Sequence, residues 1–453
     1  MQDNSFSLTL PDNDVRQLTT GWLLLALASL VLAGLFTLLI VLSRTPFFQE
    51  IIPWLDFFHT ALVVHVDLTV LVWFLSFAGV LWSLNSNNRC LLCGKIALFL
   101  TTAGTLIITV SPFTGEGYPL MNNYVPVLQN NVFFTGLCIF GLGFSLLILR
   151  SFIAARSTGK LISHEGALRF GFNIALLSAF IAVLALALSY LGINDEPGGE
   201  PYYDRLFWGG GHIIQFTHTL LMLAVWLWLA TVSGATPMLP PRAAMLLFAI
   251  GVSPALGVPY IYANYDVNSN QHLVSFFHLM KYGGGLAAFP IGIAVLIGLI
   301  KNRTATSGYE IERSALIFSM LLFGVGGIIG YLIIGSNVTI PAHYHGSIVG
   351  VTLAYMGITY HLLPKLGFRK VKGRLAQWQP AIYGIGQLMH IIGLAWSGGY
   401  GVMRKTAGTE QGLERIEQIA GMGLMGLGGL ISIIGGLIFL IVVYLAMRPE
   451  KNT

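Results

Sequence analysis

Four histidines, His65, His212, His343 and His345, have the types and spacing for metal chemistry. Each falls early in a long apolar run: His65 about nine residues in, His212 about seven, and His343 and His345 about four to six. The three runs that hold them cross in the same sense, so at roughly 1.5 Å of rise per residue the rings share one depth, the outer third of a membrane. A polar group inside a bilayer is costly and usually has a partner or a function. One buried histidine is more often a hydrogen-bonded structural residue than a ligand. Four at one depth on three separate helices reverse that preference. Neutral imidazole is a ligand for haem iron and for copper. His343 and His345 stand two residues apart, so on a helix their side chains project roughly 200° from one another. One helix can then serve two haems on its opposite faces.

The elements that must position these side chains are membrane helices. The chain of 453 residues is 55% hydrophobic and only 9% charged, against about 25% charged in soluble domains. Twelve apolar runs are long enough to span: 20–43, 57–84, 91–111, 132–155, 168–192, 206–233, 241–262, 272–300, 313–335, 340–364, 376–399 and 420–447. The expected fold is all-α, a polytopic membrane protein with twelve transmembrane helices forming a single domain over 1–453. With the N-terminus cytoplasmic, eighteen Lys and Arg residues fall on the inner side and five on the outer, with Lys281 inside a helix. The positive-inside rule therefore places both termini in the cytoplasm. The polar first nineteen residues and the long run after them do not read as a cleavable signal. The net charge of +5 is spread over short loops, with no basic block interleaved with aromatics, so nucleic acid is not an expected partner. Three cysteines make a disulfide framework unlikely. Cys90 and Cys93 form a CxxC with no histidine after it, which excludes covalent c-type haem attachment; two unpaired thiols are the simpler reading.

The segment Ile340-Pro341-Ala342-His343-Tyr344-His345-Gly346 resembles the His-aromatic-His signature of the tenth helix of haem–copper oxidases, the superfamily of cytochrome c oxidase subunit I and the nitric oxide reductase large subunit. Ala61-Leu62-Val63-Val64-His65 with Leu71-Val72-Trp73 is similar to the second-helix haem segment. Trp208-Gly209-Gly210-Gly211-His212 resembles the sixth-helix segment that carries a ligand of the non-haem metal, and Met403-Arg404-Lys405 is similar to the basic pair that holds haem propionates. The resemblance covers essentially all twelve spans. It implies that His65 and His345 are the axial ligands of a six-coordinate, electron-relaying haem. It implies that His343 is the protein ligand of a five-coordinate haem that binds a gas, and that His212 binds an adjacent metal. Arg404 and Lys405 would pair with propionates or be ordinary outer-loop charge.

The chain departs from that pattern. Where the family carries a His-His pair, the seventh span reads Gly257-Val258-Pro259-Tyr260-Ile261-Tyr262, and no histidine lies anywhere in that span. Phe216 occupies the position of the oxidases' tyrosine and the reductases' glutamate. Copper held by one imidazole would be weak. The site is then rebuilt from Asp266, His272 and His278, or it binds no metal and Lys281 supplies a fixed positive charge, or the helix register differs. Copper or another non-haem metal is thus an open expectation. Tyr260, Tyr262 and Tyr265 cluster near the expected site, with Tyr260 a candidate hydrogen-atom donor, although interfacial aromatics are common. Asp67 is the one carboxylate well inside a span, and no glutamate falls in any span, which argues against proton pumping. His218 reads as a packing residue, His59 as interfacial, and His361 and His390 as deep or on the inner side.

The expectation is the catalytic, haem-binding subunit of a respiratory oxidoreductase in the bacterial inner membrane. A cytochrome c-type subunit or soluble cytochrome would deliver electrons from the outer side, and O2 would be reduced to water. Nitric oxide reduction is the rival within the enzyme class, and a haem-based gas sensor or electron-transfer subunit is the rival outside it.

Overall fold

A computed structural model describes residues 5–11, 13–43, 57–115, 117–159, 162–194, 198–404 and 411–448. In hydrocarbon every backbone N–H and C=O must be satisfied within its own segment, so the apolar runs become helices. In chain order these are α1 (Asn13–Ser43), α2 (Phe57–Val66), α3 (Trp73–Leu84), α4 (Leu91–Val110), α5 (Asn131–Ala154), α6 (His164–Gly192), α7 (Gly199–Val232) and α8 (Pro241–Val252). There follow α9 (Val258–Asn264), α10 (Asn270–Gly283), α11 (Ala288–Lys301), α12 (Glu310–Tyr331), α13 (Thr339–Lys365), α14 (Arg374–Gly399) and α15 (Ile416–Met447). A two-stranded antiparallel ribbon, β1 (Pro119–Leu120) and β2 (Val127–Leu128), pairs Pro119 with Leu128 and Leu120 with Val127.

Among the described residues, eleven helical segments are long and apolar enough to cross a membrane. The protein is an all-α, multi-pass membrane protein. The remaining expected span, 376–399, is the helix α14, but Gln377, Gln379, Gln387 and His390 dilute its apolar surface and it is not among the eleven. Two spans are interrupted. A 3-10 turn at Ser253–Gly257 separates α8 from α9, and Gly284 to Ala287 separate α10 from α11. A third changes pitch: α2 passes through a π-helical turn, Asp67–Val72, into α3. Such turns are uncommon and concentrate at functional sites.

The chain forms two compact units. The first comprises Met1–Leu221 and Pro240–Pro290; the second comprises Met222–Leu239 and Ile291–Thr453. Lipid gives helices no hydrophobic reason to associate, so membrane helices pack through small residues that let backbones approach. In the first unit, a Cβ at Gly104 of α4 would stand 2.5 Å from the Phe140 nitrogen of α5. In the second, a Cβ at Gly346 of α13 would stand 2.6 Å from the Gly326 Cα of α12. The second contact fixes the height at which the His343–His345 segment meets its neighbour.

Candidate functional site

In the first unit His65 is the last residue but one of α2, immediately ahead of the π turn. Its Nδ1 lies 3.0 Å from the Ala33 carbonyl of α1, with Thr37 Oγ1 at 3.3 Å. A carbonyl only accepts, so Nδ1 carries the proton and Nε2 carries the lone pair. A backbone carbonyl behind a ring nitrogen is the usual way to fix tautomer and orientation of a metal-bound histidine. Asp67, in the π turn itself, is buried, and neither carboxylate oxygen has a hydrogen-bond partner.

His212 sits in α7 after three glycines, and each glycine makes room for a different neighbour. A Cβ at Gly209 would collide with the Tyr262 hydroxyl, one at Gly210 would stand 3.1 Å from the Ala182 carbonyl, and one at Gly211 would overlap the Tyr124 ring. The His212 Nδ1 donates to the Trp208 carbonyl at 2.8 Å, which leaves the lone pair on Nε2. The Tyr124 hydroxyl stands 3.0 Å from that Nε2 and 2.8 Å from Nδ1, so it donates to Nε2 and caps it. Burial, and then the nearby charge of Asp204, push the phenol above its ordinary range, so it stays a donor.

Tyr124 reaches this place on a built arm. The β1–β2 ribbon closes the loop, the Asn122 Oδ1 accepts from the Tyr124 and Val125 amides at 2.9 Å each, and the Asn123 amide donates to Asp204 at 3.0 Å. Nothing in the 119–128 sequence announces this role. Only the structure shows the connection, through Gly211, whose missing side chain is the seat of the ring.

His272 is fully buried in α10, and neither of its ring nitrogens has a hydrogen-bond partner. Its ring centroid is 4.8 Å from that of Tyr262 and 5.1 Å from Phe276, which in turn is 5.8 Å from His212. The Tyr262 hydroxyl is engaged by Ser189 at 2.7 Å and the Ala185 carbonyl at 2.8 Å. The structure therefore gathers His212 and His272 around Phe276. It does not bring Asp266, His278 or Tyr260 to them. Asp266 is exposed and caps a turn, its Oδ1 accepting from the Asn268 amide at 2.7 Å. His278 is exposed beside Phe277 and Tyr282, and Tyr260 is 63% exposed beside Tyr265. Lys281 is half-buried, with Nζ 5.6 Å from the Phe277 ring. The reason is helical phase: His278 is six residues from His272, so the two point to different faces of α10.

In the second unit the His343 Nδ1 lies 2.7 Å from the Gly326 carbonyl of α12, again leaving the lone pair on Nε2. A Cβ at Gly330 would stand 2.6 Å from that Nδ1, so the ring fits only against a glycine. The His345 ring lies edge-on to His390 of α14 at 4.9 Å, and the His390 Nδ1 is 3.0 Å from the Met425 carbonyl of α15. Chain direction in α14 was expected to put His390 deep or on the inner side; the structure sets it level with His345 instead. Arg404 is half-buried. Its segment is stitched to the start of α13 by Val338 N to Val402 O at 3.0 Å and by the Asn337–Met403 bridge, which brings Arg404 to the histidine end of that helix. Lys405 lies outside the described residues.

One further correction concerns carboxylates. Helix α12 begins at Glu310, three residues before the expected span, and so includes Glu312, which is buried at 4% exposure. The expectation that no spanning helix holds a glutamate therefore fails, because its first turn lay outside the apolar run.

The donor sets can be tested against the groups that the resemblance implies. His65 and His343 each present one lone pair, backed by a backbone carbonyl, which suits an axial ligand of haem iron. A three-histidine copper site is not matched. His212 and His272 supply two imidazoles, one of them capped, and among the described residues no group of three or more His, Cys, Asp or Glu is arranged to hold a metal ion.

The comparison with known families gives the class, an oxidoreductase of the haem–copper oxidase kind. The family model for cytochrome c and quinol oxidase polypeptide I matches residues 17–438, and the chain belongs to that family. It is a haem–copper oxidase-type subunit I. It is similar to an uncharacterized protein of Rickettsia prowazekii (strain Madrid E), 27% identical over a gapped alignment 495 positions long that covers 93% of this chain and 94% of that one. It is also similar to an uncharacterized protein of Aquifex aeolicus (strain VF5), 29% identical over 361 residues, 79% of this chain and 88% of that one.

Proposed function

We propose that this chain is the catalytic, haem-binding subunit of a respiratory enzyme of the bacterial inner membrane, taking electrons from a cytochrome c-type donor and reducing O2 to water. The observation that carries the reading is the shared state of His65 and His343: each ties Nδ1 to a backbone carbonyl of a neighbouring helix and keeps Nε2 for a ligand. As the resemblance implies, His65 and His345 would hold one haem, and His343 would hold another. Bound there, haem iron supplies one-electron relay at the first position and gas binding and reduction at the second. The chain's own residues fix the imidazoles, and Arg404 with Lys405 offers positive charge to the propionates. With twelve spans and both termini in the cytoplasm, these residues would lie toward the outer surface, where the donor would dock.

A second reading is nitric oxide reduction. Phe216 supports it by removing the tyrosine that the oxidase resemblance calls for at that position, and counts against its usual form by removing the reductases' glutamate there as well. Purified protein given a reduced cytochrome c is assayed for O2 and NO uptake, with iron and copper counted on the same sample. O2 consumption with two haems per chain supports the oxidase. NO consumption alone overturns it in favour of the reductase. Haem without turnover of either gas leaves a sensing or electron-transfer subunit.

A further inference from the structure

We propose that Cys90 and Cys93 form a thiol–disulfide exchange site at the polar end of the first unit, closing to an intramolecular disulfide on reaction with a small-molecule disulfide. The site lies between α3 and α4, away from every histidine discussed above, and is independent of the haem reading.

Three features build it. First, both residues are free thiols on one helical turn: Cys90 is the N-cap of α4, Cys93 is its third residue, and the sulfurs are 2.7 Å apart. Second, Cys90 takes φ 50 and ψ 40, the one non-glycine residue with positive φ among the described residues. A left-handed N-cap is a strained choice for a residue with a Cβ, and it holds this side chain over the first turn of the helix. Third, Arg150 lies beneath the pair. It is 1% exposed, its Nη1 donates to Ser86 Oγ at 2.8 Å and its Nη2 to the Asn87 carbonyl at 3.1 Å, yet its Nε has no partner. A Cβ at Gly94, the residue after Cys93, would stand 3.4 Å from that Nε. The glycine thus lets a buried guanidinium with an unused donor reach the turn that carries the thiols. Cys90 is exposed and Cys93 half-buried, so a small reagent can enter.

A cation beside a helix N-terminus favours thiolate over thiol. The Cys90 thiol is held above its ordinary range, first by its hydrogen bond to Cys93 and then by burial. The thiolate of one cysteine attacks one sulfur of the disulfide RSSR and expels one RS⁻. The other cysteine then gives up its proton and attacks the first cysteine's sulfur in the mixed disulfide, forming the Cys90–Cys93 bond and expelling the second RS⁻. The two cysteines lose two electrons and two protons, and RSSR becomes two RSH. Cys138 is exposed in α5 and serves as the internal control.

The test uses the full-length protein in membranes, reduced and then equilibrated with a series of reduced-to-oxidised glutathione ratios, quenched in acid, alkylated and weighed intact. The expected result is that two thiols disappear together in a two-electron titration while Cys138 remains alkylated, with a mass loss of two hydrogens. C90S should trap one glutathione on Cys93. R150Q should slow alkylation of the Cys90–Cys93 pair at neutral pH several-fold. Retention of both alkylatable thiols at every ratio overturns the proposal, as does a glutathione on each cysteine without ring closure. Because the wild-type titration decides alone, a misfolded variant does not rescue the idea. A loss of haem leaves this readout untouched.

Discussion

Tyr124 caps His212: its hydroxyl stands 3.0 Å from the ring nitrogen that would otherwise bind a metal, while the Trp208 carbonyl holds the other at 2.8 Å. Both nitrogens of the one histidine that matches the sixth-helix ligand are therefore engaged by protein. The expected consequence is that Y124F gains metal. Removing the hydroxyl uncovers the Nε2 lone pair and keeps the ring that fills Gly211. Purified Y124F should retain more copper or nickel per chain than wild type after dialysis, measured by elemental analysis. The lost hydrogen bond should also cost about 1–3 kcal/mol of stability, because a buried acceptor is left unpaired. Equal metal content in the two proteins would show that the phenol does not control His212.

How legible this was from the chain differs residue by residue. His65, His212, His343 and His345 stood out because ligand chemistry puts one residue type at one membrane depth, and the apolar runs set that depth. Tyr124 was hidden because it reaches the site on a loop, where no periodicity relates sequence position to space. His390 was misjudged because its depth was read from the end of a helix whose glutamines blur its limits. Glu312 was lost in the same way, at the first turn of α12. Asp266 and His278 were plausible in number and depth, but depth alone does not say which face a side chain takes. Their exposure follows from the phase of α10 and the turn before it. His272 was reachable from sequence. What only the structure added is that both its nitrogens are left without partners.

The histidine assignments predict distinct spectral losses. H65A should remove the six-coordinate haem signal from the reduced-minus-oxidised spectrum and roughly halve the haem content, with the gas-binding haem retained. H343A should do the converse, abolishing the CO-difference spectrum of the reduced protein while leaving the six-coordinate bands. Haem extracted as a pyridine complex gives the count. Two haems per chain in both variants would mean that neither imidazole is a ligand.

The α12–α13 contact predicts a packing effect read through His343. A Cβ at Gly346 would approach the Gly326 Cα to 2.6 Å, so G346A must push the two helices apart. Overpacking of this kind costs about 1–3 kcal/mol. The His343 Nδ1 bond to the Gly326 carbonyl crosses the same seam, so it should lengthen. G346A should lower the thermal midpoint and weaken CO binding together. G324A, where a Cβ meets nothing within 4 Å, is the matched control and should change neither. Normal CO binding in a clearly destabilised G346A would separate the seam from the ligand.

His390 should behave as a positioning residue for His345. Its ring meets His345 edge-on at 4.9 Å, and its own Nδ1 is anchored 3.0 Å from the Met425 carbonyl, so α15 fixes His390 and His390 limits the rotation of His345. Residues behind a metal-bound histidine typically alter metal affinity by about 10–100-fold when replaced. H390F keeps a ring of similar size and loses the anchor. It should therefore release the six-coordinate haem about 10–100-fold more readily to an apo-globin acceptor. Its optical bands should shift without disappearing, whereas H345A should lose them. H390Q, which can still donate to Met425, should recover part of the retention. A merely structural role would lower the thermal midpoint of H390F and leave haem release and band positions as in wild type; that pattern would remove His390 from the site.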